Sequence, residues 1–329
     1  MQQVAQKAGV STALVSLVMR GASNVSDYRR KLVLEAADEL GYRPNVLARN
    51  LASRRTQTIG VVLNDLHNLF FAEVADGIQA AADTADYRLL YGNGKHSIDG
   101  EAEAVETFLQ FRVDGVILAG SLDVATMERA ARSAAVVVVG RTEASPSVDT
   151  INTDGHAGAV LAVDHLVELG HTRIAHLNGG AGAGAAERSA GYVASMQRHG
   201  LSQYVQIASG NYDESGGQAG AVELLAAPVR PTAIFASNDL SAIGALDHIV
   251  GMGLHVPDDI SLVGFDNTAL SALSYVSLTT INQPSEELGQ AAIDLILERL
   301  EGRTTSTHYV GAPTLIVRRS TAAPSSSPT

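Results

Sequence analysis

From residue 59 onward, short runs rich in Val and Ile alternate with longer amphipathic stretches. This rhythm constrains the fold more than any other feature of the chain. The runs readable as strands are 59–63, 88–91, 115–119, 136–139, 174–177, 205–208, 233–236, 261–265 and 278–281. Helical patterns fall between them, for example at 70–84, 100–111, 157–169, 186–200 and 240–252. Strands apolar on both faces, interleaved with helices apolar on one stripe, imply parallel sheets covered on both sides. Nine strands exceed a single five- or six-stranded unit. Two doubly wound lobes are therefore expected, with the cleft at the carboxyl ends of their strands as the default ligand site.

The 329 residues are 46% apolar and 18% charged, which permits a large core. The absence of Cys excludes disulfides, thiolate metal sites and a Cys nucleophile. No run of 18 apolar residues occurs, so no transmembrane helix and no membrane partner are expected. The net charge of −12 is unevenly spread. Residues 1–55 carry nine Lys/Arg against four Asp/Glu, whereas the other 274 carry 14 against 31. A basic head on an acidic body implies that only the head meets a polyanion.

That head reads as three short helices. The first, over 2–8, stops at Gly9. Ser11 or Thr12 caps a second that runs to about Met19. A third starts from an N-cap pattern at Ser26, with Tyr28, Leu32, Ala36 and Leu40 on one face, and stops at Gly41. Residues 45–53 form a further helical pattern, and "SRRTQT" at 53–58 is a linker. The segment "VAQKAGVSTALVSLVMRG" has the geometry of a helix-turn-helix: Gly9 makes the turn and Val10 and Val15 face inward. The second helix is expected to present Thr12, Ala13, Ser16 and Leu17 outward, where this motif reads base edges in the major groove. Phosphate contacts come from nearby basic and hydroxyl groups. A secretory signal peptide would use the same apolar stretch. It is interrupted by Gly9, Ser11, Thr12 and Ser16, and a second amphipathic helix and a basic segment follow it.

Several blocks, in order, resemble the lactose/galactose repressor family of bacterial transcription factors. They are "VAQKAGVSTALVSLVMRG", "VSDYRRKLVLEAADELGYRPNVLARNLASRRTQTIGVVL", "DLHNLFFAEVADGIQAAA", "HLVELGHTRIAHLNG", "ERSAGY", "PTAIFASND", "MGLHVPDDISLVGFDN" and "LTTINQP". The resemblance covers nearly the whole chain. It implies a cytoplasmic, ligand-responsive repressor that binds a palindromic, double-stranded operator as a homodimer. An all-α helix-turn-helix headpiece (1–44) and a hinge helix with linker (45–57) would precede an α/β, periplasmic-binding-protein-like effector domain (58–321). The N-lobe would span 58–149 and 284–307, and the C-lobe 150–283 and 308–321. The tail 322–329 is small, polar and Pro-rich, so disorder is expected there. No leucine heptad follows the last strand, which favours a dimer over a tetramer.

By the same resemblance, Ser11, Thr12, Ala13, Ser16, Leu17 and Arg20 would contact DNA from the headpiece. Asn45, Ala48, Arg49, Leu51 and Ala52 would contact it from the hinge. Leu51 would wedge into the minor groove, which costs stacking but kinks DNA toward more contact. There are departures from the family pattern. Leu17 stands where a basic residue is usual, and Arg20 where an asparagine is. Leucine touches a thymine methyl but makes no bidentate guanine bond, so the operator is expected to differ from the family's usual one. The chain opens Met1–Gln2–Gln3–Val4, without the Thr that caps the first helix in relatives.

In the body, the resemblance places Asn68, Phe70, Phe71, Arg188 and Tyr212 around the effector, and Arg141, Asn238, Asp239 and Asp266 join them from the carboxyl ends of strand segments. Leu69 stands where the family usually has Pro. Asp, Asn and Arg form paired hydrogen bonds to vicinal hydroxyls while an aromatic face stacks on a sugar ring, so a sugar or glycoside is the expected effector, although a purine or nucleoside would use similar residues. Plainer readings stay open: helix caps at Asn238 and Asp266, a surface ion pair at Arg188, core packing at Phe70 and Phe71, and simple packing at Tyr212. "NGGAGAGAAERSAGY" mimics a dinucleotide loop, but the full GxGxxG spacing is absent. The histidines lack metal spacing and no Gly-x-Ser-x-Gly elbow occurs. No cofactor, no metal and no enzymatic activity are expected. The competing function is a sugar-binding protein without a DNA role.

Overall fold

The computed structural model describes residues 1–19, 21–22, 24–42, 55–95, 97–120, 123–141 and 145–325. Arg20, the hinge positions Asn45, Ala48, Arg49, Leu51 and Ala52, and tail residues 326–329 lie outside them. The chain divides into two units, Met1–Thr56 and Gln57–Thr329.

The first unit holds α1 (Gln2–Ala8), α2 (Thr12–Met19) and α3 (Asp27–Glu39). Gly9 ends α1 at φ +68°, and its N–H reaches back to the Ala5 and Gln6 carbonyls. No side chain caps the start of α1. Ser11 Oγ accepts the Leu14 N–H at 3.2 Å and so opens α2. The small core is Val4, Ala5, Val15, Val18, Val25, Val33, Ala36 and Ala37. This turns α3 away from the expected face. Val33, Ala36 and Ala37 point inward, whereas Tyr28 and Leu40 are exposed. Three short helices approach closely only through small side chains, which Val33 and the alanines supply.

The second unit contains two six-stranded sheets. The N-lobe sheet uses β1 (Thr58–Leu63), β2 (Arg88–Asn93), β3 (Gly115–Ala119), β4 (Ala135–Val139), β5 (Asp149–Thr153) and β11 (His308–Gly311), in the order β11-β5-β4-β3-β1-β2. All its pairings are parallel. Its helices are α4 (Leu69–Thr84), α5 (Ile98–Gln110), α6 (Val124–Ala131) and α11 (Ser285–Leu300). The C-lobe sheet uses β6 (Ile174–Asn178), β7 (Gln206–Ser209), β8 (Ala233–Ala236), β9 (Ser261–Asp266), β10 (Thr279–Asn282) and β12 (Thr314–Ile316). Its order is β12-β10-β9-β8-β6-β7, and only β12 runs antiparallel. Its helices are α7 (Gly155–Glu168), α8 (Ala185–Arg198), α9 (Glu214–Leu225) and α10 (Asp239–Gly251). Apolar clusters cover both faces of each sheet, as doubly wound lobes require.

The lobe boundaries differ from expectation. β5 and β11 pair with each other in the N-lobe sheet, so the breaks expected at 149/150 and 307/308 fall after Thr153 and Gly311. β5 reads "DTINT", polar enough to pass for a loop, yet it is fully buried. Asp149 holds the far end of this lobe. It accepts both Arg299 Nε (2.7 Å) and Nη2 (2.9 Å), Arg303 Nη1 (2.9 Å) and Nη2 (2.8 Å), and the Thr307 N–H (2.7 Å). The tail is also anchored beyond the expected break. The Ala322 carbonyl is bonded by the Ser261 hydroxyl and the His171 ring, and Pro324 lies over Gly170.

The strand order sets the site. In each lobe the first strand lies between the next two, β1 between β2 and β3, β6 between β7 and β8. The loops leaving β1 and β6 therefore diverge at the switch point, where doubly wound sheets open a crevice.

Candidate functional site

Between the lobes lies a cleft of about 600 Å³. Its N-lobe wall starts at the end of β1. Asn64 is buried, and its Nδ2 donates to Glu101 Oε2 at 3.0 Å and to the Gly120 carbonyl. Position 94 must be glycine, because a Cβ there would sit 1.6 Å from Asn64 Oδ1. Asn68 caps α4 by accepting the Phe70 N–H at 3.0 Å. Phe70 and Phe71 meet edge to face, ring centroids 5.3 Å apart. Phe70 belongs to the lobe core and lines the cleft as well, so its two readings coexist.

The C-lobe wall is built around Arg188 in the first turn of α8. Its Nη1 donates to the Ser237 carbonyl at 2.6 Å and reaches Tyr212 Oη at 3.4 Å. The guanidinium lies 3.8 Å from the Phe265 ring centroid and 5.4 Å from that of Tyr212. Arg188 is only 8% exposed and is no surface ion pair. The glycine-rich loop before it has a steric purpose. The Tyr212 ring lies on Gly179 and Gly182, where a Cβ would come within 2.2 and 2.5 Å of it. The Tyr212 hydroxyl donates to the Ala183 carbonyl at 2.9 Å. These glycines seat an aromatic ring, which accounts for their number without a dinucleotide.

Asp266 ends β9 at φ +118°, a conformation costing a non-glycine residue on the order of 1–3 kcal/mol and typical of functional positions. Gln283 Nε2 donates to its Oδ1 at 2.6 Å. Burial pushes the Asp266 carboxyl well above the usual range, against the pull of Arg188. Asn238 caps α10 through the Ser241 N–H (2.9 Å) and braces the Tyr212 carbonyl (2.9 Å).

Two expected residues do not line the cleft. Asp239 spends both carboxylate oxygens elsewhere, on the Thr280 hydroxyl (2.6 Å) and on the Thr268 N–H (2.7 Å) and hydroxyl (2.9 Å). It ties down the chain after β9, and burial raises its carboxyl to about 6. Arg141 contributes a backbone carbonyl that accepts from Asn152. Conversely, Asn64, Asn152, Thr153 and Gln283 line the cleft without having been anticipated. Each stands at or just past the carboxyl end of a strand, and that position was the available signal. Six buried side-chain atoms among the described residues lack a hydrogen-bond partner. Three belong to the lining (Asn64 Oδ1, Thr153 Oγ1, Arg188 Nε), and Ser237 Oγ adjoins it. Native proteins seldom leave such atoms unsatisfied, and four of the six lie in or beside this wall. No cluster among the described residues could hold a metal ion.

On the headpiece, Ser11, Thr12 and Ala13 are exposed at the start of α2, although the Ser11 hydroxyl is already used as a cap. Ser16 is half-buried. Leu17, expected to project outward, is half-buried like Ser16 and also packs against the headpiece core beside Leu14. A leucine three residues past Leu14 lies on the same side of the helix, and an apolar side chain there gains by burial.

Comparison with known proteins agrees with this division. Residues 1–45 match the family model "Bacterial regulatory proteins, lacI family", and residues 163–321 match "Periplasmic binding protein-like domain". The transcriptional repressor CytR of Escherichia coli K12 is 34% identical over 98% of this chain and 96% of its own. This chain belongs to the LacI family. As in other members, its head is a DNA-binding domain, its body an effector-binding domain, and it is a transcriptional regulator rather than an enzyme. Among solved structures, the lac repressor dimer bound to operator and the anti-inducer ONPF superposes with a TM-score of 0.85 at 30% identity. It covers 97% of this LacI-family chain and 98% of its own. The regulator CelR in complex with cellobiose gives 0.73 at 28% identity, covering 97% and 98%. No helix among the described residues is long and apolar enough to cross a membrane.

Proposed function

We propose that this LacI-family regulator acts in the cytoplasm as a dimeric repressor of a palindromic operator, and that a sugar or glycoside bound in the cleft changes its operator affinity. One observation carries the reading: the chain that bears the helix-turn-helix also bears a cleft whose buried Asn64, Thr153 and Arg188 atoms await partners. The dimeric, operator-bound state of the lac repressor and the cellobiose complex of CelR support the dimer and the sugar.

Thr12 and Ala13 read bases, with Arg20 and Leu51 adding further contacts to the DNA. In the cleft, Asp266 and Arg188 grip hydroxyls, Asn68 and Asn238 shape the walls, and Phe70, Phe71 and Tyr212 face the ring. Ligand binding biases lobe closure, and closure changes operator affinity. That is one two-state element read by two sites.

The test is the operator affinity of the intact chain with and without a stabilising sugar, in wild type and in Asp266→Ala. The sugar changes wild-type affinity, and the variant binds DNA normally but ignores the sugar. A variant that responds at the same sugar concentration overturns this placement of the effector.

A further inference from the structure

The charge of the cleft has a consequence for what enters it. Four carboxylates besides the buried Asp266 line it (Asp65, Glu187, Asp213 and Glu214), and the single Lys or Arg among the described lining residues is Arg188. That cation is partly spent, with Nη1 on the Ser237 carbonyl and its face on Phe265. Behind the wall, Glu101 is fully buried against Asn64. The body as a whole is strongly acidic. A cleft of one sign, walled by apolar rings, concentrates its field on whatever enters.

The unsatisfied atoms state the same preference in hydrogen-bond terms. Asn64 Oδ1 is buried without a hydrogen-bond partner and can only accept. Arg188 Nε can only donate. The Thr153 hydroxyl does either. A hydroxyl donates and accepts and so satisfies all three. An ionised phosphate or carboxylate only accepts: it suits Arg188 Nε and the Thr153 hydroxyl but not Asn64 Oδ1, and it sets another anion before the acids.

We propose that the cleft selects by charge: it admits neutral or cationic polyhydroxylated molecules, such as free or amino sugars and glycosides, and rejects their phosphorylated or carboxylated counterparts. This rests on the reading of the cleft as the effector site.

The experiment uses the full chain and matched probes: glucose, glucosamine and glucose 6-phosphate; galactose, galactosamine and galactose 6-phosphate; ribose and ribose 5-phosphate; adenosine and AMP. Thermal denaturation finds the binders and calorimetry measures them, in wild type, in Asp266→Ala and in the triple variant Glu187→Gln, Asp213→Asn, Glu214→Gln. In every set that binds, the phosphorylated member is weaker by at least about tenfold, and the triple variant narrows that gap. A phosphorylated member binding as tightly as its neutral partner overturns the charge argument. Binding that survives Asp266→Ala instead overturns the cleft as the site. If no probe binds, a metabolite extract split on anion-exchange resin decides. Stabilisation by the unretained fraction supports the proposal, by the retained fraction overturns it, and by neither overturns the reading of the cleft.

Discussion

Asp149→Ala is expected to destabilise the body strongly. The carboxylate is fully buried and accepts five hydrogen bonds, four of them from Arg299 and Arg303, whose side chains are 11% and 18% exposed. Burial by itself would raise this carboxyl, but the bonds from Arg303 and Arg299 outweigh burial and hold it below its ordinary value. Removing one partner of a buried pair costs about 3–5 kcal/mol, because the remaining charge is left uncompensated. Arg303 keeps Glu298 at 2.8 Å, which places the loss near the lower end, about 3 kcal/mol. At roughly 2–4 °C per kcal/mol for a large domain, the melting temperature falls by about 6–12 °C. Circular dichroism melts and urea titrations at pH 7 measure it. The exposed pair Lys95–Glu103, with side chains 63% and 74% exposed, is the control and should lose no more than about 1 kcal/mol. An Asp149→Ala loss under about 1 kcal/mol, or equal to the control's, would refute the reasoning. The sign with pH also follows. A carboxyl depressed in the folded state contributes stability above its unfolded value, near pH 4, and loses it as pH falls through the folded value.

His176 gives the next prediction. It is stacked between Tyr192 and Phe235, and burial lowers it to about 4. Its folded value lies below its unfolded one, so its contribution is intact above about pH 6.5 and fades toward pH 4. The stability difference between wild type and His176→Phe should shrink by up to about 3 kcal/mol across that window. A pH-independent difference would contradict it. Gly179→Ala drives a Cβ into the Tyr212 ring and should cost roughly 1–3 kcal/mol, with loss of the sugar response. Chemical denaturation and operator titration measure the two effects. Substitution at Thr12 should change which operator is selected while the salt dependence of binding stays the same, because a base contact carries sequence and a phosphate contact carries salt.

The two doubly wound lobes were legible because their strands are continuous apolar runs, as at residues 115–119 and 136–139. Two strands at one end of the N-lobe sheet were not. β5 is polar because it pairs between two strands and ends on the cleft, and β11 is four residues long. The family resemblance pointed to Arg188 and Tyr212, and position at a strand end to Asp266; the fold brings all three to one cavity. Asp239, one residue from Asn238, was indistinguishable by sequence from a cleft residue. Only the positions of Thr268 and Thr280 reveal that its oxygens are taken. The partial burial of Leu17 was not legible, because a helix of eight residues offers few turns from which to fix its buried face.

Selection of double-stranded DNA from a random pool by the intact chain tests the central claim most directly. The account predicts enrichment of a palindrome with two symmetric half-sites, bound with an affinity that falls linearly on a log–log plot of salt and shifts when a sugar fills the cleft. Recovery of no preferred sequence, with and without sugar, would contradict it.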